Sequence, residues 1–127
     1  MAKSVLIVDD EPNIVLSLQF IMERAGYAVT TAADGDEALR LALAAPPDVV
    51  LLDVMLPNRN GYDICRELRA KPEFTGTKIV MLTAKHRDVE RETGLALGAD
   101  DYITKPFSTR EVISQVEALL QQTGRAE

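Results

Sequence analysis

Val49-Val50-Leu51-Leu52-Asp53 decides the architecture of this chain. Four consecutive large apolar residues make a strand buried on both faces, which belongs at the centre of a parallel sheet. The run ends on a carboxylate, and a charge at the end of a buried strand is costly unless it is paired or used. In open α/β sheets the carboxyl ends of the strands open into the crevice where ligands bind. The first apolar run, Val5-Leu6-Ile7-Val8, ends the same way, on Asp9-Asp10. Two strands are therefore expected to deliver three carboxylates to one crevice.

Strand-like and helix-like segments alternate on both sides of that pair. Residues 4–8 read as a strand. Residues 13–25 read as a helix, with Leu18, Ile21, Met22 and Ala25 at core spacing, Pro12 at its start and Gly26 at its end. A short alternating strand, Tyr27 to Thr31, leads to a helix that Asp34 can cap, with Glu37 completing a capping box and Pro46-Pro47 stopping it. After the central strand, residues 48–52, Pro57 and Gly61 bracket a loop, and the next helix carries Ile64 and Leu68 on one face. Ile79-Val80-Met81-Leu82 is another buried strand and ends at Thr83-Ala84. A helix over about 88–97 is rich in Arg and Glu and poor in large apolar residues, and Gly98 closes it. The last strand, Asp101-Tyr102-Ile103-Thr104, ends in Lys105-Pro106. Ser108 and Glu111 then box the start of a final helix with Val112, Val116 and Leu119 as its inner stripe, and residues 124–127 read as a frayed tail. The pattern is (βα) repeated five times. It predicts one domain over residues 1–127, a five-stranded doubly wound parallel sheet of flavodoxin-like type in the order 2-1-3-4-5.

Composition narrows the function. The 127 residues, 46% hydrophobic and 27% charged, suit a soluble globular domain with a real core. A formal net charge of −6 disfavours direct contact with nucleic acid and favours a bound cation. The single cysteine, Cys65, excludes an internal disulfide and reads as a small, semi-buried hydrophobe. No apolar run reaches membrane-spanning length and the N-terminus has no signal-peptide core, so a cytoplasmic protein with no membrane contact is expected.

The strand ends present Asp9, Asp10, Asp53, Thr83 and Lys105 together. Singly, each has a bland use: Asp10 could cap the first helix, Thr83 could be a capping hydroxyl and Lys105 a solvated charge. Jointly they suit one ligand. Three clustered carboxylates repel one another and raise a pKa unless a hard cation such as Mg²⁺ neutralises them. With the cation, Asp53 is an oxygen nucleophile, Lys105 a positive charge and Thr83 a hydroxyl donor, which is the inventory of phosphoryl transfer onto a carboxylate.

Asp9-Asp10, Asp53 with Pro57 and Gly61, Thr83-Ala84 and Lys105-Pro106 resemble the receiver domain of bacterial two-component response regulators, over essentially the whole chain. The resemblance implies that Asp53 is the phospho-acceptor. It implies that Asp10 binds Mg²⁺ (or Mn²⁺) directly, Asp9 directly or through water, and the backbone carbonyl of Met55 as a further protein ligand. Lys105 would pair with the phosphoryl group, the Ala84 backbone and Thr83 would contact it, and Tyr102 would be the switch aromatic that turns inward when Thr83 moves. The Lys105-Pro106 bond would be cis. The partner implied is a sensor histidine kinase or a histidine phosphotransfer protein, and the output surface is the helix at 88–97, the last strand and the last helix.

The stretch Gly98-Ala99-Asp100-Asp101-Tyr102 and the pair Arg91 and Glu111 resemble receivers that precede a winged-helix domain and dimerise through this surface. Asp101, Arg91 and Glu111 are thus candidates for phosphorylation-dependent self-association. Gln115, Glu117 and Ala96 depart from that class and remove two expected ion pairs. The chain stops at Glu127 without an effector domain, which suits a stand-alone receiver or a piece cut at a linker. Leu16 and Phe20 fall off the core stripe of the first helix; an incidental exposed pair is the plainer reading, and a partner surface the sharper one. Two rivals fit less well. An aspartate-nucleophile phosphohydrolase commonly needs a second Asp at position 55, which is Met55, and a flavin module needs a neutral phosphate loop where Asp9-Asp10-Glu11 stands. The reading is a phospho-accepting switch, with only self-phosphorylation and self-dephosphorylation chemistry, rather than a turnover enzyme.

Overall fold

The computed structural model describes residues 3–57, 59–83 and 98–123. Five parallel strands, β1 (Ser4–Val8), β2 (Ala28–Ala32), β3 (Val49–Asp53), β4 (Lys78–Thr83) and β5 (Asp101–Thr104), form one sheet in the order β2-β1-β3-β4-β5. Four helices are described, α1 (Pro12–Arg24), α2 (Gly35–Ala44), α3 (Gly61–Arg69) and α4 (Thr109–Thr123). The predicted helix at 88–97 lies outside the described residues. Among the described residues no helix is long and apolar enough to cross a membrane.

Every residue of β3 is buried, because the sheet is covered on both sides. Side chains alternate along each strand, so β3 feeds two cores. Val49 and Leu51 join Leu18 and Met22 of α1 and Val112, Val116 and Leu119 of α4 on one face. Val50 and Leu52 join Ala38 and Ala42 of α2 and Ile64, Cys65 and Leu68 of α3 on the other. The chain goes to one side of β1 to form β2 and to the other side to form β3. The carboxyl ends of β1 and β3 therefore meet at a topological switch point, where the helices diverge and leave a crevice.

Some local details differ from expectation and others meet it. Ala25 is exposed, since α1 ends at Arg24 and only Leu18 and Met22 reach the core fully. β2 starts one residue later than its alternation suggested. Asp10 does not cap α1; the N-cap is Glu11, whose side chain makes no capping hydrogen bond. Asp34 does cap α2 by accepting from the Glu37 N–H at 2.8 Å, but the Glu37 carboxylate accepts from Ala33 rather than from the cap residue. Ser108 accepts from the Glu111 N–H at 3.1 Å, as the box predicted. Cys65 is wholly buried, and burial pushes its thiol up to about 11, which leaves it an inert core group. A 3₁₀ turn at Pro72–Phe74, unannounced by any periodicity, drives Phe74 into the core.

The entry to β5 is held by Arg69. Its guanidinium donates to the Gly98 carbonyl at 2.7 Å, to the Phe74 carbonyl at 2.7 Å and to Asp100 Oδ2 at 2.5 Å. Asp100 in turn accepts from the Ile79 N–H at the start of β4. Gly98 has φ +108°, and a Cβ there would lie 2.4 Å from Arg69 Cγ, so both the backbone and the clamp require glycine.

Candidate phosphoryl-acceptor site

The strand ends bring Asp9, Asp10 and Asp53 together. One carboxylate oxygen from each lies within 4.8 Å of the others. Asp9 and Asp53 are buried and Asp10 is exposed, so the cluster has a walled side and an open one. Asp9 is fixed by both oxygens: Oδ1 accepts from the Glu11 N–H at 2.9 Å and Oδ2 from Lys105 Nζ at 2.9 Å. Lys105 Nζ also lies 3.5 Å from Asp53 Oδ1 and donates to Glu11 Oε1 at 3.1 Å. The Met55 N–H approaches Asp53 Oδ1 at 3.4 Å.

Burial, and then the neighbouring Asp9 charge, push the Asp53 carboxyl up to about 6, while Lys105 and the Met55 N–H hold it from rising further. Burial of Lys105 would by itself favour the neutral amine; the bonds to Asp9 and Glu11 and the charges of Asp53 and Asp9 outweigh it and raise its pKa. One ammonium thus faces three carboxylates and leaves the site with a net negative charge. The donor set is all oxygen and partly open to water, which fits a hard divalent cation that keeps some of its waters.

The β3–α3 loop is pressed against this site. Gly61 donates to the Val54 carbonyl at 2.8 Å, and a Cβ on Gly61 would lie 2.2 Å from the Asp53 carbonyl oxygen. Glycine is required here for backbone approach rather than for a turn. Thr83 is buried at the end of β4, in register with Thr104. The Thr83 carbonyl accepts from the Lys105 N–H at 2.6 Å, tying the β4 and β5 ends together. Tyr102, half-buried on β5, packs against the α2–α3 core, and the Lys105-Pro106 bond is cis as expected.

The remaining candidates are dispersed. Met55 has its side chain largely in solvent. Ala84 and Arg91 lie outside the described residues. Asp101 is already engaged within the chain, accepting from Gln115 Nε2 at 2.9 Å. Glu111 is exposed at the start of α4, and Leu16 and Phe20 are 64% and 60% exposed on α1, with the Arg24 guanidinium 5.5 Å from the Phe20 ring. Beside the acidic cluster a groove runs over Pro12, Val15, Leu16 and Gln19 of α1 toward Glu37. Glu11 is the site residue that sequence reasoning missed. Its only signal was a poor helix-capping residue where a good one is usual.

The family model for the response regulator receiver domain matches residues 5–117. Among solved structures, the chemotaxis response regulator CheY4 of Vibrio cholerae is 33% identical, with 94% of this chain and 99% of that one covered and a TM-score of 0.90. A CheY-like response regulator receiver domain protein from Methanospirillum hungatei is 29% identical, with both chains covered in full and a TM-score of 0.91. The receiver domain of the sensor histidine kinase PA1611 from Pseudomonas aeruginosa is 32% identical, covers 95% and 99% with a TM-score of 0.87, and has a magnesium ion coordinated in its active-site cleft. A doubly wound sheet with an acidic crevice at its switch point defines the class, and the chain belongs to the receiver domains of two-component response regulators.

Proposed function

We propose that Asp53 accepts a phosphoryl group from the phosphohistidine of a sensor histidine kinase or a histidine phosphotransfer protein, and that the domain acts as a switch. The observation that carries this is the convergence of Asp9, Asp10, Asp53 and Lys105 from the ends of β1, β3 and β5. Asp53 must be ionised to attack phosphorus. Its pKa of about 6 leaves it ionised at neutral pH and only weakly stabilised, hence a ready nucleophile. In the transfer a P–O bond forms to Asp53, the donor's P–N bond breaks, and its electron pair leaves with the imidazole. Lys105, already within 3.5 Å of Asp53, offers N–H groups to the phosphoryl oxygens. A Mg²⁺ or Mn²⁺ ion held by Asp9, Asp10, Asp53 and the Met55 carbonyl would supply charge neutralisation and orient the phosphoryl oxygens.

The relay is assigned to Thr83 and Tyr102. Phosphorylation adds roughly −1.5 to −2 charge beside Asp9 and Asp10. A hydroxyl donor at the end of β4 gains by moving toward it, and Thr83 is so placed, with the Ala84 N–H next in the chain. Tyr102, on the strand paired with β4, can follow into the vacated space and change the surface of β5 and α4. Asp101 and Glu111 lie on that surface and would serve a self-association once phosphorylated. The docking face for the phosphodonor is assigned to the exposed pair Leu16 and Phe20 on α1; Leu16 lines the groove leading to the acidic cluster and Phe20 lies one turn further along the helix.

Intact mass after incubation with acetyl phosphate tests the core of this reading. The parent should gain one phosphoryl group with Mg²⁺ and none in chelator, and Asp53→Asn should gain none. Labelling of Asp53→Asn at the parental rate would refute it. Thr83→Ala should still take up the label while the ring signals of Tyr102 no longer shift.

A further inference from the structure

Glu11 stands at the N-cap of α1, where Ser, Thr, Asp or Asn would accept a bond from the first helical N–H groups. Its side chain makes no such bond. It turns to Lys105 instead, 3.1 Å from Nζ, on the ammonium that also donates to Asp9 Oδ2 and lies 3.5 Å from Asp53 Oδ1. An ammonium has three protons, and three carboxylates already face them. A phosphoryl group on Asp53 brings new oxygens that need those protons, so one acceptor must let go. Asp9 is held in place: its side chain is fully buried, out of reach of replacement water, and its other oxygen is bonded to the Glu11 N–H. Asp53 carries the incoming group. The Glu11 side chain is 62% exposed, and water can take over its hydrogen bonds.

Resting on the phospho-acceptor reading, we infer that Glu11 is a positioning residue that holds Lys105 in the unphosphorylated site and surrenders it to the incoming phosphoryl group. The contact exists in the reactant and is lost on the way to the product. It therefore slows uptake of phosphorus, while hydrolysis starts from a state in which Glu11 has already let go. Lys105 keeps all its protons throughout; only their acceptors change. An exposed ion pair of this kind corresponds to a roughly two- to fivefold effect on rate.

The test uses the full chain with Mg²⁺ and acetyl phosphate, comparing Glu11→Ala and Glu11→Asp with the parent. Asp keeps the charge and lacks the methylene needed to reach Lys105. Both variants should take up phosphorus about two- to fivefold faster, with the ratio of uptake to hydrolysis rates raised by the same factor. In the unphosphorylated, metal-free chain the ¹⁵Nζ signal of Lys105 should shift in both. Parental or slower uptake in both variants would overturn the inference. So would acceleration in Glu11→Ala alone, which assigns the effect to repulsion of an anionic donor, or equal acceleration of uptake and hydrolysis. Asp53→Asn separates the two readings: if it still takes the label, the phospho-acceptor reading fails, and if it blocks the label while the Glu11 variants behave as parent, only the role of Glu11 fails.

Discussion

Replacing the Asp53 carboxyl with an amide should make the metal-free protein more stable at neutral pH. Asp53 releases its proton at about 6 in the folded chain, against an ordinary 3.8. Between those values the folded state binds more protons than the unfolded one, so stability falls as pH rises through that window. Well below 3.8 the group is neutral in both states and costs nothing, and by about pH 4 most of the penalty is already gone. Above about pH 6 the full penalty is present, about 3 kcal/mol for a shift of about two units. Asp53→Asn removes that penalty and keeps the shape, but it turns an amide toward Lys105, so a gain of about 2 kcal/mol is expected. Urea unfolding in chelator near pH 7 and near pH 4 measures it, with the slope against denaturant checking that the unfolding remains comparable. The variant should lead the parent near pH 7, the two should converge near pH 4, and added Mg²⁺ should restore the parent far more than the variant. An Asn variant no more stable than the parent near pH 7, or a gain equal at both pH values, would refute the electrostatic account of the site.

Gly61→Ala should destabilise the fold by about 1–3 kcal/mol and abolish phosphorylation, because its Cβ would collide with the Asp53 carbonyl; urea midpoints and intact mass read the two effects. Arg69→Ala strips hydrogen bonds from the Gly98 and Phe74 carbonyls and leaves Asp100 without its cation, which should cost about 2–3 kcal/mol by urea unfolding. The double change Leu16→Ser with Phe20→Ser should leave stability within about 0.5 kcal/mol and labelling by acetyl phosphate as in the parent. It should slow transfer from a phosphorylated histidine domain; an unaltered transfer rate would remove α1 as the docking face.

Much of this molecule is written in local pattern. The apolar runs ending at Val8, Leu52 and Leu82 declare strands covered on both sides, because only a parallel sheet between helices can bury every residue of such a run. The carboxylates that follow the first two runs and the lysine that follows β5 were legible because a parallel sheet sends all its carboxyl ends to one side. Pairings between those ends were not legible. Lys105 meets Glu11 and Asp9 across more than ninety residues, at separations set by strand order and register that no periodicity encodes. The same holds for the Arg69 clamp, the burial of Phe74 and the approach of Gly61 to the Asp53 backbone. Residue type and spacing determined which chemical groups reach the crevice. Only the packed sheet decided how they share one ammonium, because Coulomb energies and hydrogen bonds depend on ångström distances that exist once the strands lie side by side.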